Sequence, residues 1–188
     1  DGYRTLNLLN ANSDNSMMRE VLFSNIAGDF MPAPKANFAL VVVNGVYLGV
    51  YGNVQQINKD FTKEHYGTKQ GVRWKVPPDF SGGAALTYHG PNIADYKQGY
   101  ELKSAKATDE DWRDLVELCR VLAETPEDEI EAVLPKYLDI DEVLWFLALD
   151  NVFMDSDGYY SRGSDYYLYK NPDGIFHLLH YDNNETFG

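Results

Sequence analysis

Between Phe38 and Ile57, two runs of β-branched and aliphatic residues, Phe38-Ala39-Leu40-Val41-Val42-Val43 and Val46 to Ile57, meet at the dipeptide Asn44-Gly45. No other stretch constrains the fold as tightly. Both central positions of a two-residue hairpin turn need positive φ, which Asn and Gly adopt at low cost. The spacing predicts an antiparallel hairpin over residues 38 to 57, turning at Asn44-Gly45, with no helix in Phe38 to Val43. Ahead of it, Leu6 and Leu8 alternate with polar neighbours as a short strand does, and Asn10, Asn12, Asp14 and Asn15 supply turn and capping side chains. Met18, Val21, Leu22 and Ile26 then recur at helical spacing, and Gly28 stands where a left-handed C-cap is expected.

From Lys69 to Leu102 the periods break at Pro77-Pro78, Gly82-Gly83 and Pro91, which predicts loops and short strands. Beyond, the chain turns helical. Thr108 caps a helix with Trp112, Leu115, Val116, Cys119 and Leu122 on one face, and Thr125 with Pro126 opens a second. Asp139 caps a third, Ile140 to about Phe153, whose apolar residues cover nearly all sides and predict a fully buried helix. Tyr166 to Lys170 and Ile175 to Tyr181 read as two strands joined by a turn at Asn171-Pro172-Asp173-Gly174. The fold class is α+β: one domain over 1–188, with a sheet-rich part and connection over 1–103 and a helical part over 104–188.

With 16 Lys+Arg against 29 Asp+Glu, the net charge of −13 repels phosphate backbones and anionic lipid heads, and no basic run offsets it. Nucleic acid is excluded as a partner on that ground. No apolar stretch approaches the roughly 20 residues of a bilayer span. A single cysteine, Cys119, rules out an internal disulfide and leaves the compartment open. The start at Asp1-Gly2-Tyr3-Arg4 has no Met and no signal-peptide pattern, and the end at Gly188 is abrupt, so the chain is expected to be an excerpt, incomplete at both ends.

Chemistry concentrates between Asp150 and Gly188. A polar loop, Asp155-Ser156-Asp157-Gly158, follows the third helix; a hairpin follows the loop; then comes Tyr181-Asp182-Asn183-Asn184-Glu185-Thr186-Phe187-Gly188. Protein kinases use this order: a buried helix, a catalytic loop with an acid, a short hairpin and a second acid before Phe-Gly that holds Mg²⁺. Because a hairpin folds the chain back, Asp157 and Asp182 are expected to converge. In an extended segment Asp182 and Asn184 point to the same side, and with Asp157 they make a hard-oxygen site suited to Mg²⁺. Turn capping is the competing reading of these Asp and Asn residues.

Other constellations carry less. His177 and His180 fall on opposite faces of a strand and read as packed side chains, and His65 and His89 stand alone. Asp155-x-Asp157-Gly158 departs from a calcium loop, since its glycine comes early and position 166 is Tyr. Gly82-Gly83 lacks both phosphate-loop spacings, and Cys119 reads as a buried structural thiol.

Four segments in order, Asp14-x-Ser16-x-Met18-Arg19-Glu20, Val43-Asn44-Gly45-Val46-Tyr47-Leu48-Gly49-Val50-Tyr51, Asp157-Gly158-Tyr159 and His180 to Gly188, resemble the CotH family of spore-coat-type proteins across nearly the whole chain. The resemblance implies an atypical protein kinase with a divergent two-lobed kinase-like fold. It implies use of ATP and Mg²⁺ or Mn²⁺ to phosphorylate a Ser or Thr hydroxyl of a protein, the chain itself included. Asp157 would be the catalytic-loop acid, Asp182 the metal-holding acid and Asn184 the second polar position. An extracytoplasmic, secreted or coat-associated location is implied likewise. Lys75, in Arg73-Trp74-Lys75, is the phosphate-contact candidate, against the simpler reading of an exposed lysine. Gln55, in Val54-Gln55-Gln56-Ile57, stands where the family commonly has Glu. The rival readings are a non-catalytic coat or surface module that keeps the fold, and a calcium-stabilised adhesion domain.

Overall fold

The computed structural model describes residues 5–78 and 84–188, so the turn expected at Gly82-Gly83 and the opening four residues lie outside the described residues. The order is β1 (Leu8–Leu9), α1 (Arg19–Ala27), β2 (Ala36–Val43), β3 (Val46–Val54), α2 (Lys59–Tyr66), β4 (Val72–Val76), β5 (Glu101–Leu102), α3 (Asp109–Glu124), α4 (Glu127–Val133), α5 (Ile140–Val152), α6 (Tyr159–Arg162), β6 (Tyr166–Lys170) and β7 (Phe176–His180). The strands form two antiparallel sheets, β1-β3-β2 and β5-β4-β6-β7, which with the helices make an α+β fold.

The first sheet is the expected hairpin plus β1. Asn44 and Gly45 take φ of 52° and 82°, the pair of positive values that such a turn demands. The register slips between Val41 and Val42, leaving Leu48 as the extra residue of a bulge on β3, next to Gly49 at φ 124°. The outer strand β2 therefore stays regular.

The second sheet is buried. β4, only part of a stretch expected to be loops and short strands, pairs residue for residue with β6 from Val72↔Lys170 to Val76↔Tyr166. Trp74 at its centre has no exposed surface and lies between the rings of Trp112 (5.8 Å) and Phe176 (6.1 Å). A division of the chain at residue 103 follows composition and not packing. β4 and β5 precede that point, β6 and β7 follow it, and one core cluster holds Phe23, Trp74, Trp112, Phe146 and Leu178 together.

Local expectations fail where tertiary contacts intervene. Gly28 is right-handed at φ −62°. Asp14, and not a residue adjoining the helix, organises the start of α1: its carboxylate accepts from the backbone N–H groups of Ser16 and Arg19, both at 2.9 Å. α3 carries the capping box, Thr108 with Asp111, but α4 begins at Glu127 with Pro126 as its unassisted cap instead of Thr125. α5 is not buried all round, since Leu144 and Val152 face solvent and Trp145 is covered on one side by Phe30, with ring centroids 4.5 Å apart.

Candidate phosphoryl-transfer site

The hairpin β6–β7 brings the acids together by register. Tyr166 pairs with His180, so Asp165, just before β6, and Asp182, just after Tyr181, emerge at the same open end. Both adopt left-handed backbone, φ 53° and 62°, an uncommon state for residues with a Cβ that concentrates at functional sites. Ser164 links this end to the polar loop, its Oγ lying 3.0 Å from the Asp157 carbonyl oxygen and 3.2 Å from Asp165 Oδ2.

Asp165 and Asp182 thus share one end of the hairpin, and Asp157 is near enough to repel both. Burial, then repulsion from Asp157 and Asp182, pushes Asp165 up to about 7. Burial raises Asp182 as well, with Asp157 adding to it and the Lys75 ammonium opposing. Burial also raises Asp157, whose carboxylate lies 3.9 Å from Arg162. Asp165 Oδ1 and Asp157 Oδ1 are buried and accept no hydrogen bond.

Lys75 sits beside the group because its strand pairs with β6 at Tyr167. It is partly covered: Nζ donates to the Tyr181 hydroxyl at 3.1 Å and lies 4.2 Å from that ring's centroid. Asn184 lines a second cavity with Asp182 but is engaged locally. Asp182 caps a 3₁₀ turn over Asn183–Glu185, so the segment is not extended and residues two apart do not share a side. The Asn184 amide instead donates to the Asn12 carbonyl oxygen at 2.7 Å.

A cavity of about 370 Å³ opens between the two sheets, within the range of small-ligand sites. Glu20, Gln55, Arg73, Lys103, Tyr181 and Asp182 are among its lining residues. Glu20 on α1 is buried, is pushed up to about 7 chiefly by that burial, and accepts the Asn183 N–H at 2.5 Å. Gln55 accepts from the Lys35 N–H at 3.1 Å and donates to Glu64 at 3.0 Å, and Glu64 is ion-paired to Lys35. The negative charge missing at position 55 is therefore present next to it, on α2. A larger groove of about 730 Å³ runs beside Lys59, Lys69, Lys106 and Lys170. Lys69 is paired with Asp60 and Lys170 with Asp111 and Asp114, and no acid of the hairpin end lines it.

His177, Glu142 and Asp139 place ligand-type atoms within 4.8 Å of one another. Hydrogen bonds already assign them. Asn171 Oδ1 accepts from the N–H groups of Asp173 and Ile175, which turns its amide toward His177 Nε2 (3.3 Å) and makes Nδ1–H the donor to Glu142 (2.9 Å). Tyr66 donates to the other Glu142 oxygen at 2.7 Å. The group is a packed polar network, and His180, stacked on Phe146 at 4.2 Å, is packed too.

Sequence reasoning missed Asp165 and Glu20. Asp165 precedes an apolar strand and looks like a turn residue; only the pairing of β6 with β7 shows which residue it meets. Glu20 sits inside a helix, where a glutamate ordinarily faces solvent.

Comparison with known proteins accords with this arrangement. Inner spore coat protein H of Bacillus subtilis (strain 168) is 24% identical over 189 residues, which take in 100% of this chain and 51% of that protein. The chain thus spans about half the length of the curated relative it matches. The family described as CotH kinase protein matches residues 1–188, from the first sheet through the acid after β7. By that full-length match, the chain belongs to the CotH kinase protein family.

Proposed function

We propose that the protein is an atypical, two-lobed kinase that transfers the γ-phosphoryl group of ATP, with Mg²⁺ or Mn²⁺, to a Ser or Thr hydroxyl of a protein, itself included. The observation that carries the reading is the mutual repulsion of Asp157, Asp165 and Asp182 around the open end of β6–β7, with Asp182 also lining the cavity that Arg73 and Lys103 line. Bound nucleotide and cation supply the phosphoryl group and the charge that stabilises its transfer. Asp182 and Asp165 offer the cation hard oxygens, with Asp165 taking the place first given to Asn184. Asp157 orients the acceptor hydroxyl and accepts its proton, a role that suits a carboxylate made more basic by burial. Lys75 tempers the repulsion between Asp165 and Asp182.

The test is radiolabel transfer and nucleotide affinity measured side by side. Asp157→Ala is expected to slow transfer about 10²- to 10⁴-fold with affinity nearly unchanged, and Asp182→Ala to abolish transfer and weaken cation-dependent nucleotide binding. A wild type that binds no nucleotide in Mg²⁺ or Mn²⁺ would replace this reading with that of a non-catalytic coat module. That second reading is favoured by the relative's name and by the exposed apolar hairpin. Coat or surface association belongs to the same proposal and is supported by the relative's name, with an extracytoplasmic location as its further expectation.

A further inference from the structure

One of the residues lining the cavity between the two sheets is a buried cation. Arg73, on β4, is 6% exposed and stands on the face of the strand opposite Trp74. Its guanidinium donates to the carbonyl oxygens of Ile57 at 2.7 Å and Lys103 at 3.5 Å, and among the described residues it is ion-paired to no acid. Burial lowers its pKa from the ordinary arginine value, and the influences that oppose burial come from Tyr167 and Tyr169. The nearby ammonium groups are engaged: Lys103 is paired with Glu101 at 2.6 Å, and Lys75 donates to the Tyr181 hydroxyl. A buried charge is costly without a counter-ion, and the two carbonyl contacts hold the planar fork without neutralising it.

We propose that Arg73 receives the phosphate tail of a polyphosphate ligand in this cavity. The inference rests on the phosphoryl-transfer reading and deepens it, since the phosphate contact expected of Lys75 passes to Arg73, two positions earlier on the same face of β4. A guanidinium matches two phosphate oxygens at once, which an ammonium does not. The acids of the cavity decide the kind of anion. Asp182 and Glu20 also line it, so a ligand with one negative charge is repelled as well as attracted. A polyphosphate carries several charges along its length: one phosphate meets Arg73 while another, through a divalent cation, meets Asp182. Nucleoside triphosphates and inorganic polyphosphate share this chemistry.

The experiment is calorimetric titration of the full chain with ATP and, separately, with inorganic tripolyphosphate, both in Mg²⁺, beside an assay of radiolabel transfer. Arg73→Met is expected to weaken binding about 10- to 100-fold, the scale of lost hydrogen bonds to a charged group. Arg73→Lys, which keeps the charge without the fork, falls between it and wild type and carries the comparison if Arg73→Met does not fold. Arg113→Met, at an exposed arginine paired with Glu110 on α3, binds as wild type does. Loss of either ligand with Arg73 supports the proposal: binding of ATP alone points to a nucleotide, and tripolyphosphate bound as tightly points to a free polyphosphate. Wild-type affinity in both Arg73 variants overturns the proposal and leaves phosphoryl transfer standing; Arg73-dependent binding with no transfer of label does the reverse. A wild type that binds neither ligand overturns both.

Discussion

The two sheets solve the same problem in opposite ways. The hairpin sheet β1-β3-β2 leaves Phe38, Leu40, Val42, Val46 and Leu48 exposed, with Leu40 at 73%, and no charged residue occurs between Lys35 and Lys59. The sheet β5-β4-β6-β7 buries all of β7 and nearly all of β4 and β6, and gathers acids at its open end. The first sheet is built around the local β2–β3 turn, whereas the second joins the β6–β7 hairpin to β4, whose partners lie about ninety to a hundred residues away. Burial and the raised acids therefore fall on the second sheet, where repulsive groups can be held by the surrounding core.

The widest separation between the two sheets is expected at Trp74→Ala, which empties a space between Trp112 and Phe176 and costs about 3–5 kcal/mol in a denaturant titration. A loss under about 1 kcal/mol would mean that the second sheet is not the core. Gly71→Ala and Gly45→Ala compare one change in two turns. Both glycines have positive φ, 95° and 82°, so each variant carries left-handed strain of about 1–2 kcal/mol. At Gly45 a Cβ meets nothing within 4 Å, whereas at Gly71 it would approach the Lys170 carbonyl oxygen to 2.4 Å, so Gly71→Ala should unfold at clearly lower denaturant. Equal midpoints would erase the contrast.

A third effect comes from titration. Glu20 and Asp165, each raised to about 7 chiefly by burial, and Asp150, raised to about 6 likewise, bind a proton more tightly in the folded chain. Their contribution is present at low pH and is lost as pH rises through those values. His180, lowered to about 3 by burial, works the other way below its ordinary value near 6.5, since only the unfolded chain takes up the proton there. Without divalent cations, Tm should therefore climb as pH falls from 8 and climb more steeply between about 6.5 and 5, where three buried acids take up protons against one histidine. A Tm that falls steadily across pH 8 to 6.5 would count against the buried acids. The smallest effect is expected at Leu40→Lys, within about 0.5 kcal/mol of wild type, because that side chain already faces water.

The same contrast explains what the sequence disclosed. Asn44-Gly45, the Thr108 capping box and the Asp139 cap act within a few residues of themselves, and each lies where the pattern put it. β4 was obscure because its partner is nearly a hundred residues away and its flanks, Gly71 and Pro77, read as breakers. Asp157 and Asp182 were visible through their order around a hairpin. Asp165, Asp150 and Glu20 were not, because their burial exists only after the strands pair. The extended geometry expected to align Asp182 with Asn184 is replaced by a left-handed residue and a 3₁₀ turn.

The regular outer edge of β2 also governs how the molecule behaves among its neighbours. The outward-facing backbone groups of an uncharged edge strand are a template for strand-to-strand sticking, ordinarily blunted by a lysine or proline that β2 lacks. The restraint comes from the rest of the surface, whose net charge of −13 keeps copies apart at neutral pH. Near the isoelectric point of about 4.6 that repulsion vanishes, and colloidal stability, well before the fold itself, becomes the limit on keeping the protein in solution.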